Sequence, residues 1–175
     1  DIDRRHLWIV STNGGTAKQL TSGASLEWDP VPLSDGKTVG LISSTVKQPA
    51  APAVIPIGGG KPKLLAADLL KRIPTAELVE PQQAIFKSAD GLEIHGQLFV
   101  PAKMEQTKKH PAVIFMHGGP IRQMLLGFHY YDYYHNSYAM NQYLASKGYV
   151  VMAVNFRSGI GYGRAFRTAE KQGPE

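Results

Sequence analysis

The tetrapeptide His117-Gly118-Gly119-Pro120 closes the apolar run Pro111-Ala112-Val113-Ile114-Phe115-Met116. A short apolar run that stops at glycines is expected to be a buried parallel strand opening into a loop at its carboxyl end. Open α/β sheets bind ligands at that end. Consecutive glycines there let the backbone approach a ligand and aim N–H groups at developing negative charge, which is what an oxyanion hole requires. Gly118 and Gly119 are therefore the candidate oxyanion donors, with Gly119 the closer one. His117 could serve as a general base, but a structural imidazole shaping the loop ranks above that reading.

A second chemistry-bearing run follows, His129-Tyr130-Tyr131-Asp132-Tyr133-Tyr134-His135. His129, Asp132 and His135 at helical spacing could ligate a metal, the lowest-ranked of three readings. Tyr130, Tyr131 and Tyr134 could wall a substrate pocket beside the glycines. The first-ranked reading is packing between two parts of the chain. Met124-Leu125-Leu126-Gly127-Phe128 is apolar for a loop, and such loops usually cover something.

The elements expected to position these residues differ between two halves. Residues 1 to about 70 read as all-β. Leu7-Trp8-Ile9-Val10 with Asn13-Gly14-Gly15-Thr16 and Ala53-Val54-Ile55 with Gly58-Gly59-Gly60-Lys61 form two strand–turn–strand segments offset by 45 residues. That offset suits one four-stranded propeller blade, with an ordinary β-meander as the alternative. Residues 71–81, ending at Pro81, read as a connector. Gln83–Lys87 and Leu92–Val100 flank Ala89-Asp90-Gly91 as a hairpin. From Pro111 the pattern becomes α/β. Residues 137–147 are expected to be a helix with Ala139, Met140, Tyr143 and Leu144 on one face and Gly148 as its stop, followed by a strand at Tyr149–Val154.

The 175 residues are 43% hydrophobic and 19% charged, a globular composition. The 18 glycines and 12 prolines point to many turns. No apolar stretch approaches the roughly 20 residues of a membrane helix. Cysteine is absent, which excludes disulfides, thiolate metal sites and a cysteine nucleophile. The net charge of +5 comes from lysines in turn-like stretches without interleaved aromatics, so nucleic-acid binding is not expected. Both ends of the chain read as cuts through a longer protein.

Four segments in order carry a family resemblance: Trp28-Asp29-Pro30 with Ser34-Asp35-Gly36-Lys37; Phe86 to Gly96 running on to Pro101; Pro111 to Pro120; and Asn155-Phe156-Arg157-Ser158-Gly159-Ile160-Gly161-Tyr162-Gly163. Together they resemble the prolyl oligopeptidase family, in particular the branch of dipeptidyl peptidase IV and the acylaminoacyl peptidases. The resemblance implies the end of a β-propeller (1–70), a linker (71–81) and the first part of an α/β-hydrolase domain (82–175). It also implies serine peptidase action on short peptides by the full-length protein. The family's nucleophile sits in a G-x-S-x-G elbow followed by Asp and then His, and no such elbow occurs here. Ser158 is flanked by Phe156 and Ile160 where the elbow needs glycines, so it is expected to be a loop residue. The triad is expected downstream of Glu175, leaving this stretch inactive alone. Arg157 and Tyr162 are expected to brace the loops under the site. An esterase on the same core and an inert propeller-type binding module are the alternatives. No cofactor, membrane or nucleic-acid partner is implied. Self-association and location, whether periplasmic, secreted or cytoplasmic, are left open.

Overall fold

The computed structural model describes residues 1–105, 107–119 and 121–170. Pro120, the last residue of the glycine turn, lies outside the described residues. Three sheets are present. β1 (Trp8–Ile9) and β2 (Lys18–Gln19) form an antiparallel pair. β3 (Leu26–Pro32), β4 (Thr38–Ser44), β5 (Ala51–Pro56) and β6 (Lys63–Leu64) form a four-stranded antiparallel meander in sequence order. Its β3–β4 connection is the anticipated Asp-Gly turn, where one Asp35 carboxylate oxygen accepts from the amides of Lys37 and Thr38, both at 2.9 Å. The 45-residue repeat recurs in the register: Trp8 faces Gln19 as Ala53 faces Leu64. Leu7 and Leu20, beside the first pair, share a buried cluster with Val39, Leu41, Ala53 and Ile55 of the meander. Neither sheet is closed.

α1 (Ala67–Leu70) and a 3-10 turn (Thr75–Glu77) lead into the third sheet. Its strands are β7 (Gln82–Lys87), β8 (Glu93–Phe99), β9 (Ala112–Met116) and β10 (Val150–Asn155), in the spatial order β7-β8-β10-β9. β7–β8 is the expected hairpin, β8 and β10 are antiparallel, and β9 and β10 are parallel. The crossover between β9 and β10 contains α2 (Asp132–Ser146), which completes the βαβ unit, and α3 (Arg164–Arg167) follows β10.

Two expectations need correction. β9 is not buried on both faces: Val113 and Phe115 pack against the core, whereas Ile114 and Met116 are exposed. β9 is the outermost strand of its sheet, and nothing among the described residues covers that side. α2 begins at Asp132 rather than residue 137, and its buried face is Tyr134, Tyr138, Asn141, Gln142 and Ala145, with Met140 and Tyr143 exposed. Asp132 in the first turn suits the positive end of the helix dipole. Tyr138 sets the inward face by packing edge-on against Phe99, ring centroids 5.2 Å apart. The C-terminus matches the expectation. Tyr149 N–H reaches Leu144 O and Gly148 N–H reaches Ala145 O, each at 3.1 Å, with Gly148 at φ 93°. These are the paired bonds of a Schellman motif.

The core of this half joins Phe99, Val151 and Ala153 of the sheet to Tyr138 and Ala145 of α2, with Val79 and Phe128 from the connections. Full burial of a residue such as Phe99 stabilises by about 2–3 kcal/mol. Gln142, 1% exposed, pins the connector to α2: its Oε1 accepts from Val79 N–H and its Nε2 donates to Val79 O, both at 2.8 Å.

Candidate active site

His117, Gly118 and Gly119 follow directly on the carboxyl end of β9. Gly119 adopts φ 53°, a left-handed conformation that favours glycine, and a Cβ there would meet nothing within 4 Å. Both glycines are exposed, and no described residue accepts a hydrogen bond from either amide. The Gly118 carbonyl, by contrast, is held. The Tyr134 hydroxyl donates to it at 2.7 Å, and His117 Nδ1 lies 3.3 Å from it. His117 is 3% exposed and stacks on Phe156, centroids 4.2 Å apart and 18° from parallel. Burial, with a smaller contribution from Arg122, holds the His117 pKa below its usual value. The imidazole is therefore neutral near pH 7, and with Nδ1–H turned toward the carbonyl its buried Nε2 has no partner among the described residues.

The aromatic run is divided among several tasks. Tyr134 sits under the glycine turn. Tyr130 faces the other way, toward Trp28 at 6.5 Å between centroids, with the Arg5 guanidinium 4.2 Å from its ring centre. Tyr131 is exposed, with Arg122 lying 5.3 Å from its ring. His129 precedes the helix rather than joining it. Its Nε2 bonds Gln123 O at 2.8 Å, and its Nδ1 accepts from Tyr131 N–H at 2.9 Å. Burial above all, followed by the Arg5 charge, lowers its pKa to about 4 despite these bonds, so it is neutral at pH 7. Among the described residues no group of three His, Asp or Glu is arranged to hold a metal ion. The apolar loop covers the joint between the halves: Leu125 packs on Leu26 and Trp28, while Phe128 enters the core formed with Phe99, Tyr138 and Val151. Ser44 Oγ donates to Phe128 O at 2.6 Å, and Phe128 N–H donates to Thr45 O at 3.1 Å.

The Asn155–Gly163 segment forms the floor beneath this loop. Arg157 Nη2 donates to both carboxylate oxygens of Asp90, at 2.8 and 2.9 Å, and its Nη1 donates to Glu170 O at 2.6 Å. The Ser88 hydroxyl first, and Arg157 next, hold the Asp90 carboxyl well below the usual carboxylate range. Asn155, fully buried, clasps the backbone of Met124, accepting from its N–H at 2.6 Å and donating to its O at 2.9 Å. Asn155 also donates to the Tyr162 hydroxyl at 2.8 Å, which in turn donates to Asp3 at 2.5 Å. Burial and the bond to Asp3 raise the Tyr162 pKa. The loop after the glycine turn rests on this floor: a Cβ at Gly159 would lie 2.7 Å from Arg122 O. Ser158 is 6% exposed at φ 75°, and its N–H donates to Phe166 O at 3.1 Å.

Sequence reasoning assigned no task to Asp3, His95 or Asn155. Asp3 is buried, accepts from Tyr162 and Gln83, and lies 2.8 Å from His95 Nδ1. No local pattern marks one aspartate near the chain start as the partner of residues 80 or more positions away. Asn155 carried a signal, since an amide at the end of an apolar strand needs a buried partner.

No protein-family model matches the chain. The peptidase YuxL of Bacillus subtilis (strain 168) is 33% identical over 132 residues, which is 74% of this chain and 18% of YuxL. Human dipeptidyl peptidase 8 is 32% identical over 103 residues, 56% of this chain and 10% of that protein. The chain thus spans less than a fifth of the length of these relatives. Two solved structures have the same fold. An acylaminoacyl peptidase in complex with Z-Gly-Gly-Phe-chloromethyl ketone has a TM-score of 0.69 at 24% identity, covering 94% of this chain and 24% of that one. A Mycobacterium tuberculosis puromycin-hydrolysing peptidase has a TM-score of 0.73 at 23% identity, covering 94% and 25%. The curated relatives are peptidases, and both solved structures share the fold that sets the glycine turn at the carboxyl end of β9. More narrowly, the chain belongs to the prolyl oligopeptidase family.

Proposed function

We propose that the full-length protein is a serine peptidase that hydrolyses short peptides through an acyl-enzyme, and that residues 1–175 carry half of its active site. A serine outside this stretch attacks the peptide carbonyl carbon while a histidine takes its proton. The carbonyl π electrons move onto oxygen, and the Gly119 N–H stabilises the resulting oxyanion. Collapse of the intermediate expels the amine, which receives the proton, and water then releases the acyl group. The observation that carries this reading is the Gly119 amide: exposed, free of any described acceptor, and set at the end of a parallel strand. Residues 1–70 would belong to a β-propeller that restricts access to short peptides. The 45-residue repeat in register and the core shared between β1–β2 and the meander support that assignment. Residues 71–81 would be the linker and 82–175 the first part of the hydrolase domain.

The test compares turnover of a peptide anilide with that of a p-nitrophenyl ester by the full-length protein. The peptidase reading expects efficient anilide cleavage, and ester turnover alone overturns it. A fluorophosphonate probe should label the full-length protein at a serine outside residues 1–175. Labelling within them refutes the assignment of the missing nucleophile.

A further inference from the structure

We propose that Tyr134 is a positioning residue that sets the orientation of the Gly118–Gly119 peptide plane and so aims the Gly119 N–H at the substrate. A peptide between two glycines is the easiest kind to flip, because neither flanking residue has a Cβ to penalise the alternative dihedrals. In a trans peptide the C=O and the following N–H point in opposite directions. Whatever grips the Gly118 carbonyl therefore dictates where the Gly119 N–H points. Tyr134 grips it at 2.7 Å, and the second donor, His117 Nδ1, is longer at 3.3 Å.

The phenol is itself anchored. Tyr134 is 5% exposed, lies on the inward face of α2, and meets the rings of His117, at 6.3 Å, and His129, at 5.5 Å, nearly edge-on. The helix and its aromatic neighbours thus fix the hydroxyl, which fixes the carbonyl and with it the Gly119 N–H, for which no described residue is an acceptor. Preorganisation of this kind matters because a donor that must reorient during reaction loses most of its value.

This inference rests on the oxyanion reading above, and the experiment separates the two. In the full-length protein, Tyr134→Phe removes the hydroxyl and leaves the ring. It is expected to lower kcat about tenfold, less than the 10²–10³-fold loss from deleting an oxyanion donor outright. KM should stay within about twofold and the thermal midpoint within about 2 °C. Tyr133→Phe, on the exposed neighbour, is the control and should leave kcat unchanged. An unchanged kcat for Tyr134→Phe, or a loss wholly explained by unfolding, overturns the proposal. The second measurement is a crystal structure of the wild-type adduct with a peptide chloromethyl ketone. The Tyr134–Gly118 bond should be intact, with the Gly119 nitrogen about 2.7–3.1 Å from the adduct oxygen. A broken Tyr134–Gly118 bond overturns the positioning role. An intact bond with the oxygen away from Gly119 overturns the oxyanion reading instead.

Discussion

Replacing Asp3 by alanine should loosen the join between the segment around Asp3 and the β7–β8–β10–β9 sheet. The carboxylate accepts from the Tyr162 hydroxyl and the Gln83 amide, and it faces His95 Nδ1. His95 is buried and Tyr162 largely so, which keeps water from replacing the lost acceptor. Each stranded buried donor costs about 1–3 kcal/mol. His95 can recover part of that by shifting its proton to Nε2, which lies 3.4 Å from Glu93. The sum is about 3–5 kcal/mol, the range for removing one partner of a buried charged cluster. Because a protein with several packed units need not unfold in one step, the appropriate assay is hydrogen exchange of the full-length protein. Leu126 N–H donates to Asp3 O and Glu27 N–H donates to Arg5 O, so peptides containing these amides report the opening directly. At about 1.4 kcal/mol per decade, their protection should fall by a factor of roughly 100 or more. Asp35→Ala, at an exposed turn, should leave them unchanged. A fall below tenfold for Asp3→Ala would refute the claim that this carboxylate locks the segment in place.

Two further outcomes follow from the site. His129 titrates in the fold near pH 4 and, unfolded, near its ordinary value of 6.5. The unfolded chain therefore takes up the proton first as pH falls, so the contribution is complete above about pH 6.5 and is lost progressively toward pH 4. Its full size is about 3 kcal/mol, and His117 acts in the same direction. Thermal midpoints of the full-length protein should fall between pH 6.5 and 5, before most carboxylates titrate, and His129→Gln should shallow the slope; equal slopes would exclude His129. Gly159→Ala places a methyl 2.7 Å from Arg122 O, which is backbone and cannot rotate away. A cost of about 1–3 kcal/mol and a lower kcat from the displaced loop should appear in melting and peptide-anilide assays. Wild-type values in both would contradict the described packing.

The parts legible in the sequence were those written in local periodicity and turn chemistry: the β7–β8 hairpin around Asp90-Gly91, the β9–α2–β10 unit and the Gly148 stop. The start of α2 was not, because Tyr133, Tyr134 and His135 carry weak helix preference. The first turn is stabilised instead by Tyr134 and Tyr138 packing into the core, a tertiary effect. The same limit applies to the site. Gly118 and Gly119 stand out as candidates by type and position. The hydroxyl that holds Gly118 lies 16 residues further on, in a run where any of six aromatic or imidazole rings could have faced inward. Gln142 illustrates it again, since a glutamine on a helix reads as solvent-facing until the backbone of Val79 is found beside it.

The join between the halves also bears on how the chain reaches this structure. The meander and the β7–β8 hairpin are built from neighbours in sequence and can close early, since short loops cost little entropy. The contacts that seat the halves together are remote: Ser44 with Phe128, Val46 with Tyr138, Asp3 with Tyr162, separated by 84, 92 and 159 residues. During synthesis the N-terminal segment must wait on the ribosome until residue 162 has emerged before Asp3 can find its hydroxyl. Until then a carboxylate that ends up dry remains in water. That late closure predicts slow final consolidation of the native state, as expected for a topology rich in long-range contacts.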